Sequence, residues 1–148
     1  MPLDPRLAPF AVTGLRIALG AMFLAHSVIL KLYVFTLSGT AQFFESIGLP
    51  GLLAYVVFTG EAVGGFMLVF GIQARWVALA LTPILLGATW AHSGNGWVFT
   101  VEGGGWEYPA YLSVLTVAQF LLGDGRWALV PSLPLPGRGR TRAEGVAS

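Results

Sequence analysis

No cysteine occurs among the 148 residues, and only 10% of them are charged. The first absence removes a disulfide relay, a thiolate nucleophile and any Cys-ligated zinc or iron-sulfur centre from the chemistry of this chain. Redox work would need a borrowed cofactor. The second absence removes a water-soluble surface. Soluble domains are roughly one quarter charged, and eight Lys or Arg with seven Asp or Glu cannot coat a globule of this size. A net charge of +1 also lacks the basic stripe of a nucleic-acid binder, so no nucleic-acid partner is expected. What is present is 55% hydrophobic residues and a mean hydropathy of +0.75, which point to a protein embedded in the lipid bilayer.

At about 20 residues per crossing, the length accommodates four helices with their loops and no second domain. Four apolar runs fill that allowance. The first goes from Leu7 to Leu30 and closes with Lys31, interrupted by Arg16 and His26. The second, Leu52 to Ile72, carries one charge, Glu61. The third follows Arg75 from Trp76 to Trp90 and His92, with tryptophans near both ends where interfacial belts favour them. The fourth, Pro109 to Leu122, is short and is extended into the interface by Trp106, Glu107 and Tyr108. None alternates with period two, as a membrane barrel would require. The expectation is an all-α, integral membrane four-helix bundle over 7–128, with spans at about 7–30, 52–72, 75–92 and 107–123. A cleaved leader ending near Ala25 is disfavoured, because no basic cluster precedes the apolar stretch and Arg16 would lie inside it.

Orientation follows from the basic residues. If the spans alternate, Arg6, Arg75, Arg126, Arg138, Arg140 and Arg142 share one side, against Lys31 on the other, which places both termini in the cytoplasm. The Arg/Pro/Gly-rich tail 131–148 reads as disordered at the inner surface, with its arginines near anionic lipid. In the outer segment between spans one and two, Ser38-Gly39-Thr40 offers cap chemistry and Phe43, Phe44 and Ile47 follow at helical spacing. A short amphipathic helix in the interface is expected there, ended by Gly48-Leu49-Pro50-Gly51.

Two groups of polar residues stand where lipid should be. Arg16 and Glu61 lie within the first two spans, where a charge costs from about 2.5 to more than 10 kcal/mol; both should face the bundle interior, and a charge-assisted bond forms if they meet. Gly60, Gly64 and Gly65 around Glu61, and Gly14, Ala18 and Ala21 on the first span, permit close helix approach. An Arg–Glu pair that only fixes helix register accounts for these residues as well as a ligand site does. Toward the outer face, His26, His92, Glu107 and Tyr108 come from separate elements, the last two after the loop Glu102-Gly103-Gly104-Gly105. Two imidazoles with carboxylates either coordinate a metal, through His26 and His92, or hydrogen-bond a quinone and move its protons. Interfacial histidines bonded to loop carbonyls are the plainer alternative, and the spacing lacks any HxxxH or ExxH pattern.

In order and spacing these motifs resemble the DoxX family of small bacterial four-helix membrane proteins, which includes DoxD-like subunits of thiosulfate:quinone oxidoreductase. The likeness rests on Leu15-Arg16 followed by a small-residue stretch to His26 and Lys31, Phe43-Phe44 with Gly48-Leu49-Pro50, Glu61-Ala62-Val63-Gly64-Gly65, Gly71, Arg75, His92, Glu107-Tyr108-Pro109 and Gly123-Asp124-Gly125, across roughly residues 10 to 130. The resemblance implies the fold of a multi-pass protein of the bacterial cytoplasmic (inner) membrane and a redox neighbourhood, and the first reading built on it is a subunit of a quinone-linked oxidoreductase system. Glu61, His26 and His92 would then be catalytic and Arg16, Lys31, Glu107 and Tyr108 would bind ligand, with quinone as the cofactor, none covalently held, and a membrane or periplasmic oxidoreductase as partner. The alternatives are a non-catalytic docking module for such a partner, or a small-molecule or proton pathway built as a homo-oligomer.

Overall fold

The structure, a computed structural model, describes residues 4–135. Helix α1, Ala8–Leu24, runs without a break into a π-helical segment, Ala25–Val34; α2 covers Leu37–Ser46, α3 Leu52–Phe70, α4 Ala74–His92 and α5 Glu107–Leu122. Among the described residues there is no strand, only a lone parallel bridge between Ile72 and Val130. Three stretches, Ala8–Val34, Leu52–Phe70 and Ala74–Asn95, are long and apolar enough to cross a membrane. The chain is an all-helical membrane protein. At 16 residues, α5 rises about 24 Å, short of the roughly 30 Å hydrocarbon core.

The distribution of side chains inverts that of a soluble bundle. Outward positions such as Ile17, Val56, Phe66, Leu86, Val114 and Leu121 are large, apolar and exposed, whereas the buried faces carry Thr13, Arg16, Ser27, Glu61, Thr82, Thr116 and Gln119. Lipid tails are as apolar as leucine, so burying leucine earns little there, and small residues with internal hydrogen bonds hold the helices together instead. Thr82 Oγ1 donates to Thr116 Oγ1 at 3.0 Å between α4 and α5. Leu19, Phe23, Leu68, Leu81, Leu85 and Leu112 fill the remaining core.

Helix α1 packs on α3, α3 on α4, α4 on α5, and α5 returns to α1. The α1–α3 pair is antiparallel and crosses at two glycines: a Cβ at Gly20 would lie 2.7 Å from the Gly65 carbonyl oxygen, and one at Gly65 3.0 Å from that of Gly20. No side chain fits between the backbones at this crossing.

The first helix continues past Leu30 to Val34 because its last ten residues adopt the wider π geometry, in which pairing shifts from i+4 to i+5; Phe35 N accordingly donates to Leu30 O at 2.7 Å. At the junction two adjacent side chains supplement the altered ladder. His26 Nδ1 lies 3.0 Å from Met22 O, and Ser27 Oγ donates to Phe23 O at 2.9 Å and to Leu24 O at 3.2 Å. Helix α2 begins earlier than Ser38-Gly39-Thr40 suggested: Thr36 is its N-cap, with Oγ1 accepting from Gly39 N at 3.1 Å.

The chain after α5 corrects another expectation. Of the tail read as disordered from residue 131, Pro131, Ser132 and Leu133 are bonded into the bundle, while 136–148 lie outside the described residues. Leu129 N and Val130 N donate to the carbonyls of Phe70 and Gly71, Gln73 N donates to Val130 O, and the Gln73 side chain bonds Pro131 O and Leu133 N. These backbone groups lie beside the α3–α4 turn, whose own amides and carbonyls need partners, so residues 124–133 form a strap across the base of the bundle, the end at which α1 begins. Gly71 (φ 69°) makes the turn possible, since any Cβ there would strike Arg16 Nη1 and the strap at Ala128.

The crossing generates a prediction. Gly20→Ala should lower stability by about 1–3 kcal/mol through overpacking against backbone. Gly87→Ala, where a Cβ meets nothing within 4 Å, should be neutral or stabilising by up to about 1 kcal/mol. Thermal unfolding in detergent checks this, and equal effects would refute the packing account.

Candidate functional site

Glu61 and Arg16 both point inward, at 5% and 2% exposure, but they do not meet. In an antiparallel pair crossing at Gly20 and Gly65, position 16 lies four residues to one side of the crossing and position 61 four to the other. Eight residues of rise separate them by about 12 Å along the axis. The partner of Glu61 is Lys31, whose Nζ donates to Glu61 Oε2 at 2.5 Å. Cα–Cβ bonds tilt toward a helix N-terminus; on antiparallel helices this brings a side chain from the far end of the π segment back toward mid-span and a side chain of α3 up to meet it. This is the sole ion pair among the described residues.

Around the pair the surroundings are polar on the α1 side and apolar on the other. Ser27, one turn below Lys31, is fully buried. Gly60 and Gly64, flanking Glu61, open instead onto a groove of about 350 Å³ between α3 and α4, lined also by Thr59, Val63, Leu81 and Ile84.

The residues at the end of the bundle away from the base divide into two groups with different partners. The His26 ring stacks on Tyr108 (centroids 5.8 Å, interplanar angle 22°). Its Nδ1 faces the Met22 carbonyl, an acceptor, so the neutral ring carries its proton there and leaves Nε2 as an acceptor. His92 stacks on Phe43 at 6.4 Å and directs Nδ1 to the carbonyls of Gly103 and Gly104 at 2.9 and 3.2 Å. Asn95 Nδ2 bonds the same two carbonyls. Glu107 Oε1 accepts from Phe99 N at 3.1 Å. His92 and Glu107 thus hold the α4–α5 loop, while His26 and Tyr108 form a separate aromatic pair between α1 and α5. Among the described residues no three His, Asp or Glu side chains gather as a metal site would require.

Arg16 belongs to a second polar cluster at the base. Its Nη1 donates to Asp124 O at 2.7 Å. Asp124 Oδ1 accepts from Arg75 N at 3.2 Å and from Ser132 Oγ at 2.6 Å, and Oδ2 accepts from Ser132 N at 2.7 Å. Beside it, Thr13 Oγ1 donates to Pro9 O and lies within hydrogen-bond reach of both the amide and the carbonyl of Arg126. Asp124, within a triplet that enters the sequence reading only as a mark of family likeness, is the organiser of this cluster; the carboxylate between two glycines was the available signal. Nothing in the spacing announced Ser27 or Ser132.

The ion pair can be tested directly. Lys31→Met leaves the buried Glu61 carboxylate without its partner and should cost about 1–3 kcal/mol, Glu61→Gln should cost less because Lys31 is only half-buried, and the double variant should recover most of the loss. A double-mutant cycle measured by thermal unfolding in detergent reads this coupling, and strictly additive losses would exclude it.

Comparison with known proteins places this geometry in a family. A family model described as DoxX matches residues 11–94, which include α1, the π segment, α2, α3 and α4 with Lys31 and Glu61. The chain is also similar to a Bacillus subtilis (strain 168) protein named "Putative oxidoreductase CatD", 40% identical over 75 residues that cover 50% of this chain and 53% of the relative. The match thus spans about half the length of that curated relative. No solved structure matches. The chain belongs to the DoxX family.

Proposed function

We propose that this chain is the membrane subunit of a quinone-linked oxidoreductase system, crossing the bacterial cytoplasmic membrane four times, with α5 as the fourth span and both termini inside. The observation that carries this reading is the ion pair of half-buried Lys31 with buried Glu61, on a helix whose neighbouring Gly60 and Gly64 line an apolar groove. Intramembrane ionisable groups default to a functional role because an apolar pair would be cheaper to bury. The relative named as an oxidoreductase supports the class of chemistry. Arg75 and Arg126 at the base, against Lys31 near the other end, support the orientation, which puts α2 and the His92 loop on the outer side.

The donor set fits a quinone headgroup. Lys31 has three N–H donors and spends one on Glu61, leaving donors for a ring carbonyl, while the carboxylate accepts from a ring hydroxyl. His26 Nε2 offers a further acceptor, and the groove past Gly60 and Gly64 has the apolar lining that an isoprenoid tail requires. A bound quinone would supply the reversible two-electron redox chemistry that a chain without cysteine does not offer by itself. The protein's own contribution is orientation by the ammonium, proton exchange at Glu61 and exclusion of water by the surrounding helices. A partner oxidoreductase, docked at the membrane, delivers the electrons.

Membranes overproducing the chain should oxidise a small reductant in a quinone-dependent manner, and Lys31→Met/Glu61→Gln should cut that rate about tenfold or more, within the usual range for lost proton-transfer groups. The double variant is chosen because its fold is expected to persist, so stability and activity separate. An unchanged rate in it would overturn the reading, as would wild-type membranes with no such activity in which the chain co-purifies with a stoichiometric partner, the behaviour of a docking module.

A further inference from the structure

Among the described residues, the base of the bundle holds two enclosed or half-enclosed guanidinium groups with few acceptors. Arg16 is almost completely enclosed, yet of its five N–H donors only Nη1 has an acceptor among the described residues, the carbonyl of Asp124, and its Nε meets none. Arg75, half-buried, stacks over the Phe120 ring at 5.9 Å and lies against Gly123, where a Cβ would be 2.7 Å from Nη2. Its Nη1 is enclosed with no acceptor among the described residues. Both guanidinium groups therefore lie against the Gly123–Asp124 dipeptide, Arg16 at the Asp124 carbonyl and Arg75 at Gly123.

The one carboxylate between them is already committed. Both Asp124 oxygens are taken by the Arg75 amide and by the amide and hydroxyl of Ser132. The carboxylate thus acts as a remote cap on the start of α4, where free amides and the helix dipole favour negative charge. Among the described residues two cations remain against one carboxylate, which forms an ion pair with neither guanidinium. A buried charge without a hydrogen-bonded counter-ion is costly, and a planar guanidinium with free forked donors is matched by the oxygens of a phosphate or carboxylate group.

We propose that the base of the bundle is an oxyanion site: a phosphate group bound through Arg75, which is reachable from the surface, with Arg16 behind it as the fixed positive charge. The same chemistry is offered by the headgroup of an anionic phospholipid and by free phosphate. The site stands apart from Lys31 and Glu61 and does not depend on the redox reading.

The test uses the purified full chain in a neutral detergent. Its unfolding midpoint is followed with inorganic phosphate against chloride at matched ionic strength, and with phosphatidylglycerol against phosphatidylcholine in mixed micelles. A ligand that binds only the folded state raises the midpoint with concentration. A rise with phosphatidylglycerol identifies a lipid headgroup, and a rise with phosphate alone identifies a free oxyanion. Arg75→Gln should abolish the rise, Arg75→Lys should raise the half-saturating concentration about tenfold because the fork is lost while the charge stays, and exposed Arg126→Gln should leave it intact. No rise with either ligand, as when a water satisfies the arginines, would overturn the proposal. So would a rise that survives Arg75→Gln or is lost equally with Arg126→Gln.

Discussion

The close crossing of α1 and α3 at Gly20 and Gly65 determines most of what is polar in this molecule. Two backbones in direct contact fix the axial register of the antiparallel pair, and the register decides which buried side chains can reach each other. Arg16 and Glu61 fall on opposite sides of the crossing, and each must find a different partner. Lys31 is brought within reach of Glu61 by the same geometry, and Arg16 is brought beneath Gly71 and into the strap that follows α5. In an apolar medium the alternative to such partners is an unsatisfied charge, so the glycine contact and the two polar clusters are consequences of one constraint.

Much of the architecture was legible in the chain itself, because lipid imposes long apolar runs and leaves few ways to satisfy a backbone. Leu52–Phe70 and Ala74–His92 follow from hydropathy alone, and inward-facing Arg16 and Glu61 follow from the cost of exposing charge to acyl chains. Pairing did not follow. It depends on inter-helical register, which was set by Gly20, a residue whose role is invisible without its neighbour. The π segment was equally hidden: Ala25–Val34 has no composition that distinguishes it from an α-helix, and only the position of His26 and Ser27 at its start marks it.

The end of the strap, Pro131 to Leu133, was read as part of the solvated tail for a physical reason. Prolines, glycines and arginines from Pro131 onward have the composition of a solvated tail, but the α3–α4 turn at Gly71–Gln73 exposes backbone groups that need partners, and Leu129 to Leu133 supply them. Composition describes what a segment would do alone; the unsatisfied groups of a distant turn decided what 129–133 does here. Similarly, His92 and Glu107 looked like half of a shared titratable site, yet both are occupied with carbonyls and amides of the loop that joins α4 to α5.

Helix α1 with its π extension is held near both ends by a charged side chain, Arg16 on Asp124 below and Lys31 on Glu61 above. Sliding it by a single turn, or rolling it about its long axis, would pull both anchors loose together. Such a doubly tethered rod does not behave as a lever, and rearrangement within the bundle is therefore left to the more loosely joined α3–α4 seam, whose two members meet along the groove past Gly60 and Gly64.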